Sequence, residues 1–383
     1  MQSSRIIFSK IAYVMLILMS LALLSCSDGQ TNEAPSDTAS IFDTSISPSL
    51  PIESLNSGRT FSLLKADWKL DPMRLNRLVK AARLEGGIYW SGYNQVQIDA
   101  WCAAFTNEFD VPCSGRGVSA RQIITSLAAE SDAKQPKTDV AYLSMSQMAQ
   151  YFDKGLASTT DWESLGINQS KIWSDGERGN AVGVILSQYT HFANTNYIQE
   201  MPATIFDWAD PQYKGLICAP DFLLRAGNGF LGLLYDPEVM IQLHRHLIDE
   251  NDMLVTNDCD ALLVSGERPL TYMGYGLPYN LLDTGYIEPF WNPGLGANLF
   301  SHAIAADAPH PNAAKLFTAW SSSQRAADIS WQSIRQGWPA YGTLHEVAPH
   351  FDYDKMVFES TDTYRLRSAR TRYFQEKLFE GKR

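Results

Sequence analysis

The chain has 383 residues, 45% of them hydrophobic and 19% charged, and a formal net charge of -11. That length suits two domains of ordinary size, and the composition is globular rather than disordered or fibrous. The acidic balance argues against a nucleic-acid partner, which is usually held by a basic excess that displaces counterions from phosphates. A local basic pocket for a small anion is compatible with it.

Arg5 and Lys10 accompany an apolar run from Ile11 to Leu24. The run is short for a bilayer span and suits the apolar region of an export signal. It ends in Leu23-Leu24-Ser25-Cys26, which is similar to the lipobox of bacterial lipoproteins. Residues 1–25 are therefore expected to be a lipoprotein signal peptide, with Cys26 the acylated first residue of the mature chain. Several acyl chains at about 0.8 kcal/mol per buried methylene would hold it to a membrane. An uncleaved anchor and a plain secretory signal are the alternatives, and all three export the protein. Residues 26–59, rich in Ser, Thr, Pro, Asn and Asp, cannot bury a core and are expected to be a flexible tether.

Beyond Cys26 there are four cysteines: Cys102, Cys113, Cys218 and Cys259. An even number in an oxidising compartment suggests two disulfides, and four cysteines can pair in three ways. Cys102–Cys113 and Cys218–Cys259 are favoured because each pair falls within one proposed lobe. Neither pair has the spacing of a zinc site, and the sequence leaves a metal ligand set unknown.

From Leu84 onward strand and helix signals alternate, which argues for parallel sheets with crossover helices. GGIYWSG is a short strand, followed by a helix with Ile98, Trp101, Cys102, Phe105 and Phe109 on one face. An extended piece around Val111 to Cys113 leads to the helix SARQIITSLAAE, then the buried strand DVAYLS and the helix SQMAQYFDKG. Asn94 with Gln97, Ser119 with Gln122, and Ser144 with Gln147 each have capping-box spacing, so helices are expected to start there. In a parallel sheet those starts lie at the carboxyl ends of strands, with free N–H groups and the positive end of the helix dipole.

The second half repeats the pattern. NAVGVILSQYTHF contains a strand, DWADPQYKG is turn-rich, and LICAPDF is a strand. RAGNGFLGLLY is expected to open a helix through glycines that let backbone approach a ligand. LTYMGYG and LFSHAIAA read as strands, and PNAAKLFTAW as a helix opened by Pro311.

These segments resemble the solute-binding proteins of bacterial ABC importers. AARLEGGIYWSGYNQ is similar to that family's opening helix and strand. IFDWADPQYKGLICAPDF resembles its W-x-D-L-x-D-P-x-[WY]-K-G segment at Asp207, Asp210, Pro211, Tyr213, Lys214 and Gly215, and ADAPHPNAAKLFTAWSSS resembles its APHPNAAKLF helix. The resemblance runs from about Val79 to Tyr341 and points to the subgroup of ferric-ion, thiamine, polyamine and phosphonate binders. Ferric binders of this kind carry adjacent tyrosines, whereas Tyr272 and Tyr275 here are separated by Met273-Gly274. The segment from about His345 to Arg383 matches nothing in the family, and its basic run RLRSARTRYF reads as a solvated helix face.

The resemblance implies an α/β fold of the type II periplasmic-binding kind: two lobes joined by hinge strands, closing on a ligand. Lobe one is placed at 60–185 plus 298–383, and lobe two at 186–297. The implied role is the ligand-capturing component of an ABC importer, with a small anion or ferric ion slightly favoured. Its implied partners are a small ligand, a permease with its ATPase, and a membrane through the anchor. The protein is expected to be a monomer with no cofactor and no catalysis.

Candidate ligand contacts are Ser91, Tyr93, Asn94, Ser119 and Ser144 on the first lobe, and Arg225, Tyr272 and Tyr275 on the second. Arg116 is a further anion clamp, and Tyr279 and Trp291 are further aromatics, although most arginines are solvated and most aromatics are core. His244 and His246 diverge on a helix and do not suit a shared metal. HExxH, GxSxG and Walker motifs are absent from the sequence. The alternatives are an enzyme on the same fold with Cys113 as nucleophile, as in the thiaminase-type proteins that resemble it, and a sensory receptor.

Overall fold

Local signals set the first helix. The Asp71 carboxylate accepts hydrogen bonds from the N–H groups of Met73 and Arg74 at 3.0 and 3.1 Å, and Pro72 occupies a first-turn position where no N–H is needed. A computed structural model describes residues 67–274, 277–293, 295–335, 356–358 and 363–379, without the side chains of 222, 223, 225–228, 277–280 and 358. All of them fall in the unit Ser40–Arg383. The signal and tether expected at 1–25 and 26–59, with Cys26, lie outside the described residues, as does Tyr275.

In chain order the elements are α1 (Pro72–Glu85), β1 (Ile88–Gly92), α2 (Gln95–Phe109), β2 (Cys113–Gly117), α3 (Ala120–Asp132), β3 (Val140–Ser144) and α4 (Met145–Asp153). Then come β4 (Ile172–Ser174), β5 (Asn180–Gln188), β6 (Thr190–Asn194), β7 (Ile217–Ala219), α5 (Asp221–Leu234), α6 (Pro237–Asp249), β8 (Leu254–Val255), α7 (Cys259–Ser265) and β9 (Leu270–Gly274). The rest are β10 (Ile287–Phe290), β11 (Gly296–Ile304), α8 (Pro311–Ser321), α9 (Gln324–Ile334), β12 (Val357–Phe358) and α10 (Tyr364–Phe379).

The strands form two sheets. The first has the order β2-β1-β3-β11-β5-β4, with β12 beside β11; β1 is parallel to both β2 and β3, and β11 runs antiparallel to β3 and β5. The second has the order β10-β6-β9-β7-β8, with β9, β7 and β8 parallel. Each sheet packs on its own aromatic core. In the first, Trp90 and Trp101 stack at 5.7 Å and His302 lies on Phe317 at 5.4 Å. In the second, Trp208 packs against His191 at 4.5 Å and Phe290 at 5.7 Å. Full burial of such rings is the main favourable term in holding each half together.

The chain crosses between the sheets twice. β5 passes straight into β6 through Tyr189, and β10 returns to β11 through residues 291–295. The crossings touch: Tyr189 N–H donates to the Gly296 carbonyl at 3.0 Å. Phe230 of α5 packs on both, its ring 5.6 Å from that of Tyr189, and a Cβ at Gly296 would sit 2.2 Å from its Cδ1. Cys102–Cys113 ties α2 to β2, and Cys218–Cys259 ties β7 to α7, which is the favoured pairing.

Two expectations need correction. The glycines of RAGNGFLG lie inside α5 rather than in a loop that opens it, because the helix starts earlier, at Asp221. The basic run near the carboxyl terminus is helical, as α10, but it is not a purely solvated face. Phe374 and Leu378 of α10 join the core built around Trp208, and Tyr364 joins a cluster with Met145 and Trp173.

Candidate functional site

A cavity of about 1120 Å³ opens between the carboxyl edge of the first sheet and α10. On the sheet side it is lined by Tyr93, Asn94, Ser144 and Gln147, beside the crossing by Tyr189 and Asn298, and on the far side by Arg367, Ser368, Thr371, Arg372 and Gln375.

The sheet-side rim follows from the parallel topology. β1 and β3 end at the same edge, and each is followed at once by a helix. Asn94 starts α2, its Oδ1 accepting from Val96 and Gln97 N–H at 2.9 and 3.4 Å. Gln97 does not return the capping bond, because its amide donates instead to Ser330 Oγ at 3.0 Å. Ser144 starts α4. Its N–H and hydroxyl donate to Gln147 Oε1 at 3.3 and 2.7 Å, and its N–H also reaches the Tyr93 oxygen at 3.2 Å. The Tyr93 hydroxyl donates to the same Gln147 oxygen. Tyr93, Tyr142 and Phe300 form an aromatic floor with centroids 5.4 to 5.5 Å apart. The rim thus offers hydroxyls, amides and two positive helix ends over an apolar base, an arrangement suited to orienting a small polar solute.

Of the expected contacts, the cavity brings together Tyr93, Asn94 and Ser144. Ser119 has its capping box, with Ser119 N–H donating to Gln122 Oε1 at 3.0 Å, but it is exposed and does not line the cavity. Ser91 is fully buried and accepts from Arg116 Nε at 3.2 Å. Arg116 lies 3.9 Å from Glu130, so this pair is drawn into the body of the first half. Tyr272 is fully buried in the second core, its hydroxyl 3.0 Å from His244 Nε2, and burial raises its pKa. Arg225 lies in α5 and its side chain is outside the described residues, as is that of Tyr279. Trp291 sits at the second crossing, its Nε1 donating to the Leu295 carbonyl at 3.3 Å. Cys113, the thiol of the enzyme alternative, is bonded to Cys102.

The residues that the sequence reading missed are those of α10. Arg365 lies 3.5 Å from both Asp153 and Asp175. The Arg367 guanidinium stands 4.8 Å over the Phe230 ring. Burial, and then the Asp175 charge, raise the pKa of Tyr364. The signal was present in the spacing: Tyr364, Arg367, Thr371, Phe374 and Leu378 recur at intervals of three and four, one helical stripe. Among the described residues, no group of three or more His, Cys, Asp or Glu is placed to hold a metal ion, and no helix is long and apolar enough to cross a membrane.

No family model and no curated protein matches the chain. Solved structures do. The apo ferric ion-binding protein A of Pasteurella haemolytica matches with a TM-score of 0.62 at 14% identity, over 76% of this chain and 98% of its own. The spermidine/putrescine transporter substrate-binding protein PotD of Streptococcus pneumoniae gives 0.59 at 14%, over 76% and 99%. The periplasmic binding protein AfuA of Actinobacillus pleuropneumoniae, with fructose-6-phosphate bound, gives 0.57 at 17%, over 76% and 98%. The chain therefore has the two-lobed type II periplasmic-binding fold. It also carries sequence that these structures lack, since they are covered almost whole while about a quarter of this chain is not.

Proposed function

We propose that this protein is the solute-binding component of an importer, capturing a small ligand outside the cytoplasm and releasing it to a permease driven by an ATPase. The observation that carries the reading is the placement of the Asn94 and Ser144 helix starts on one large cavity, beside two chain crossings that hydrogen-bond to each other through Tyr189 and Gly296. Two crossings form a hinge: rotation about Tyr189 and residues 291–295 changes the gap between the sheets while each aromatic core stays intact. Lobe one is then 60–185 with the strand returning from 298, and lobe two is 186–297. Cys26 anchors the mature chain to a membrane by its acyl groups, with 26–59 as the tether, so that capture happens at the membrane surface. The role is binding without catalysis, and a small anion suits the rim better than ferric ion, because Tyr272 is buried away from the cavity.

Native mass spectrometry of protein purified without denaturation tests this reading, together with small-angle scattering before and after the bound solute is removed. The expected result is a small-molecule adduct lost on unfolding and a more compact bound form. A ligand at 100 times its dissociation constant would also stabilise the fold by about 2.7 kcal/mol. Absence of an adduct, with scattering unaltered by the removal procedure, would overturn the reading.

A further inference from the structure

We infer that α10 is the second wall of the ligand site and that it selects an anionic solute, Arg372 meeting the charged group while Ser368 and Gln375 bind its polar remainder. This rests on the solute-binding reading above and deepens it. In a two-lobed binder each half should present a face to the ligand. Here Tyr272, at the β9 strand that would supply the second face, is sealed in the core. The side facing Tyr93, Asn94 and Ser144 is instead built from α10.

The helix belongs to the second half. Phe374 is fully buried and Leu378 nearly so in that core, and the Tyr373 hydroxyl donates to Glu238 at the start of α6. Gly229 and Gly232 of α5 form the seat. A Cβ at Gly229 would lie 2.2 Å from Thr371 Oγ1, and one at Gly232 would lie 2.6 Å from Phe374 Cε2. The glycines expected to admit a ligand admit α10 instead. Across the gap α10 holds the first half chiefly through Tyr364 and the exposed ion pairs of Arg365. Solvent-screened pairs of this kind hold far less firmly than large apolar side chains that are fully buried. When the cleft opens, α10 therefore travels with the second half.

The charge follows from the same side chains. Among the described residues, Arg365, Arg367 and Arg372 line the cavity against one carboxylate, Asp153, which Arg178 already holds at 2.7 Å. Arg365 is shared between Asp153 and Asp175, and Arg367 is buried over Phe230. Arg372 is exposed at the cavity and makes no ion pair with a described residue. A guanidinium so placed matches a phosphate or carboxylate.

Calorimetric titration of the full chain with inorganic phosphate, citrate and glucose 6-phosphate, with spermidine as the cationic control, tests the assignment. At least one anion should bind and spermidine should not. Arg372→Glu should weaken the anion about tenfold or more, and Gln375→Ala should weaken it less, both with the unliganded melting temperature unchanged. Equal binding by wild type and Arg372→Glu, or binding of spermidine alone, overturns the inference. If none of the four binds while a solute co-purifies, the inference falls and the solute-binding reading stands; if no solute co-purifies either, both fall.

Discussion

The carboxylate of Glu85 closes the first turn of α8. It accepts from Asn312 N–H at 2.8 Å, from the Asn312 side-chain amide at 2.6 Å and from Ala313 N–H at 2.8 Å. Beside it, Asp139 accepts from His310 N–H at 2.7 Å and from Tyr89 N–H at 2.8 Å. The two segments are 227 residues apart, and both belong to motifs that carry the family resemblance. Those motifs meet in space to lock the opening of the first half to its returning segment. They are a structural clasp, remote from the cavity.

Replacing Glu85 with Ala leaves two first-turn N–H groups without their acceptor and removes a negative charge from a helix start. Each partly buried N–H left unsatisfied costs about 1–3 kcal/mol, so the loss should be about 2–6 kcal/mol. Glu85→Gln keeps an acceptor and should cost less than half as much. Urea unfolding of the three proteins measures this directly.

Acid should destabilise the fold well before its carboxylates titrate. Burial lowers the pKa of His191 and His302 to about 3 and that of His244 to about 4. The unfolded chain takes up protons at these sites near 6.5, while the folded chain does not. The contribution of these histidines is thus complete above that value and lost as the pH falls toward 3–4, by at most about 1.4 kcal/mol per pH unit for each. The urea midpoint should fall between pH 7.5 and 5. In His302→Phe, which stays apolar among Trp90, Trp101 and Phe317, the slope should drop by about a third.

How much of this was readable depended on the range of each interaction. The caps at Asn94, Ser119 and Ser144 are set within three residues, and all three helices start there. The disulfides followed from dividing the chain into halves. Tyr272 went astray because β9 is buried on both faces, so alternation along the strand carries no information about which side meets the cavity. Gly229 and Gly232 suggested a close approach, and there is one, but its partner lies some 140 residues downstream, beyond any local pattern. Once α10 is seen to dock there, its apolar stripe and the glycines of α5 explain each other.

The two disulfides should contribute unequally. Chain-entropy reasoning gives about 3 kcal/mol for a closed loop of 11 residues and about 4 kcal/mol for one of 41. Paired replacement by Ala at Cys218 and Cys259 should therefore lower the urea midpoint more than the same change at Cys102 and Cys113. The reverse order would show that strain or residual unfolded structure outweighs loop closure.

The seat of α10 gives the sharpest mutational test of the packing. Gly229→Ala improves helix propensity by about 1 kcal/mol, but the new methyl meets Thr371 Oγ1 at 2.2 Å and the Arg367 carbonyl at 3.1 Å. Overpacking of this kind costs about 1–3 kcal/mol, so the net loss should be about 0–2 kcal/mol. Among the described residues Thr371 Oγ1 has no hydrogen-bond partner although it is buried, so Thr371→Ala alone should be nearly neutral. The double variant should recover most of the loss, because the hydroxyl is the nearest atom and its removal leaves only the milder contacts with Arg367 Cγ at 3.0 Å and the Arg367 carbonyl at 3.1 Å. A coupling energy of about 1 kcal/mol is expected from the cycle. Limited trypsin digestion provides a second readout: Arg370 and Arg372 should be cut faster in Gly229→Ala than in wild type or the double variant, since cleavage follows the population of undocked helix. Additive effects at the two positions, with unchanged cleavage, would mean that α10 does not rest on α5 in solution.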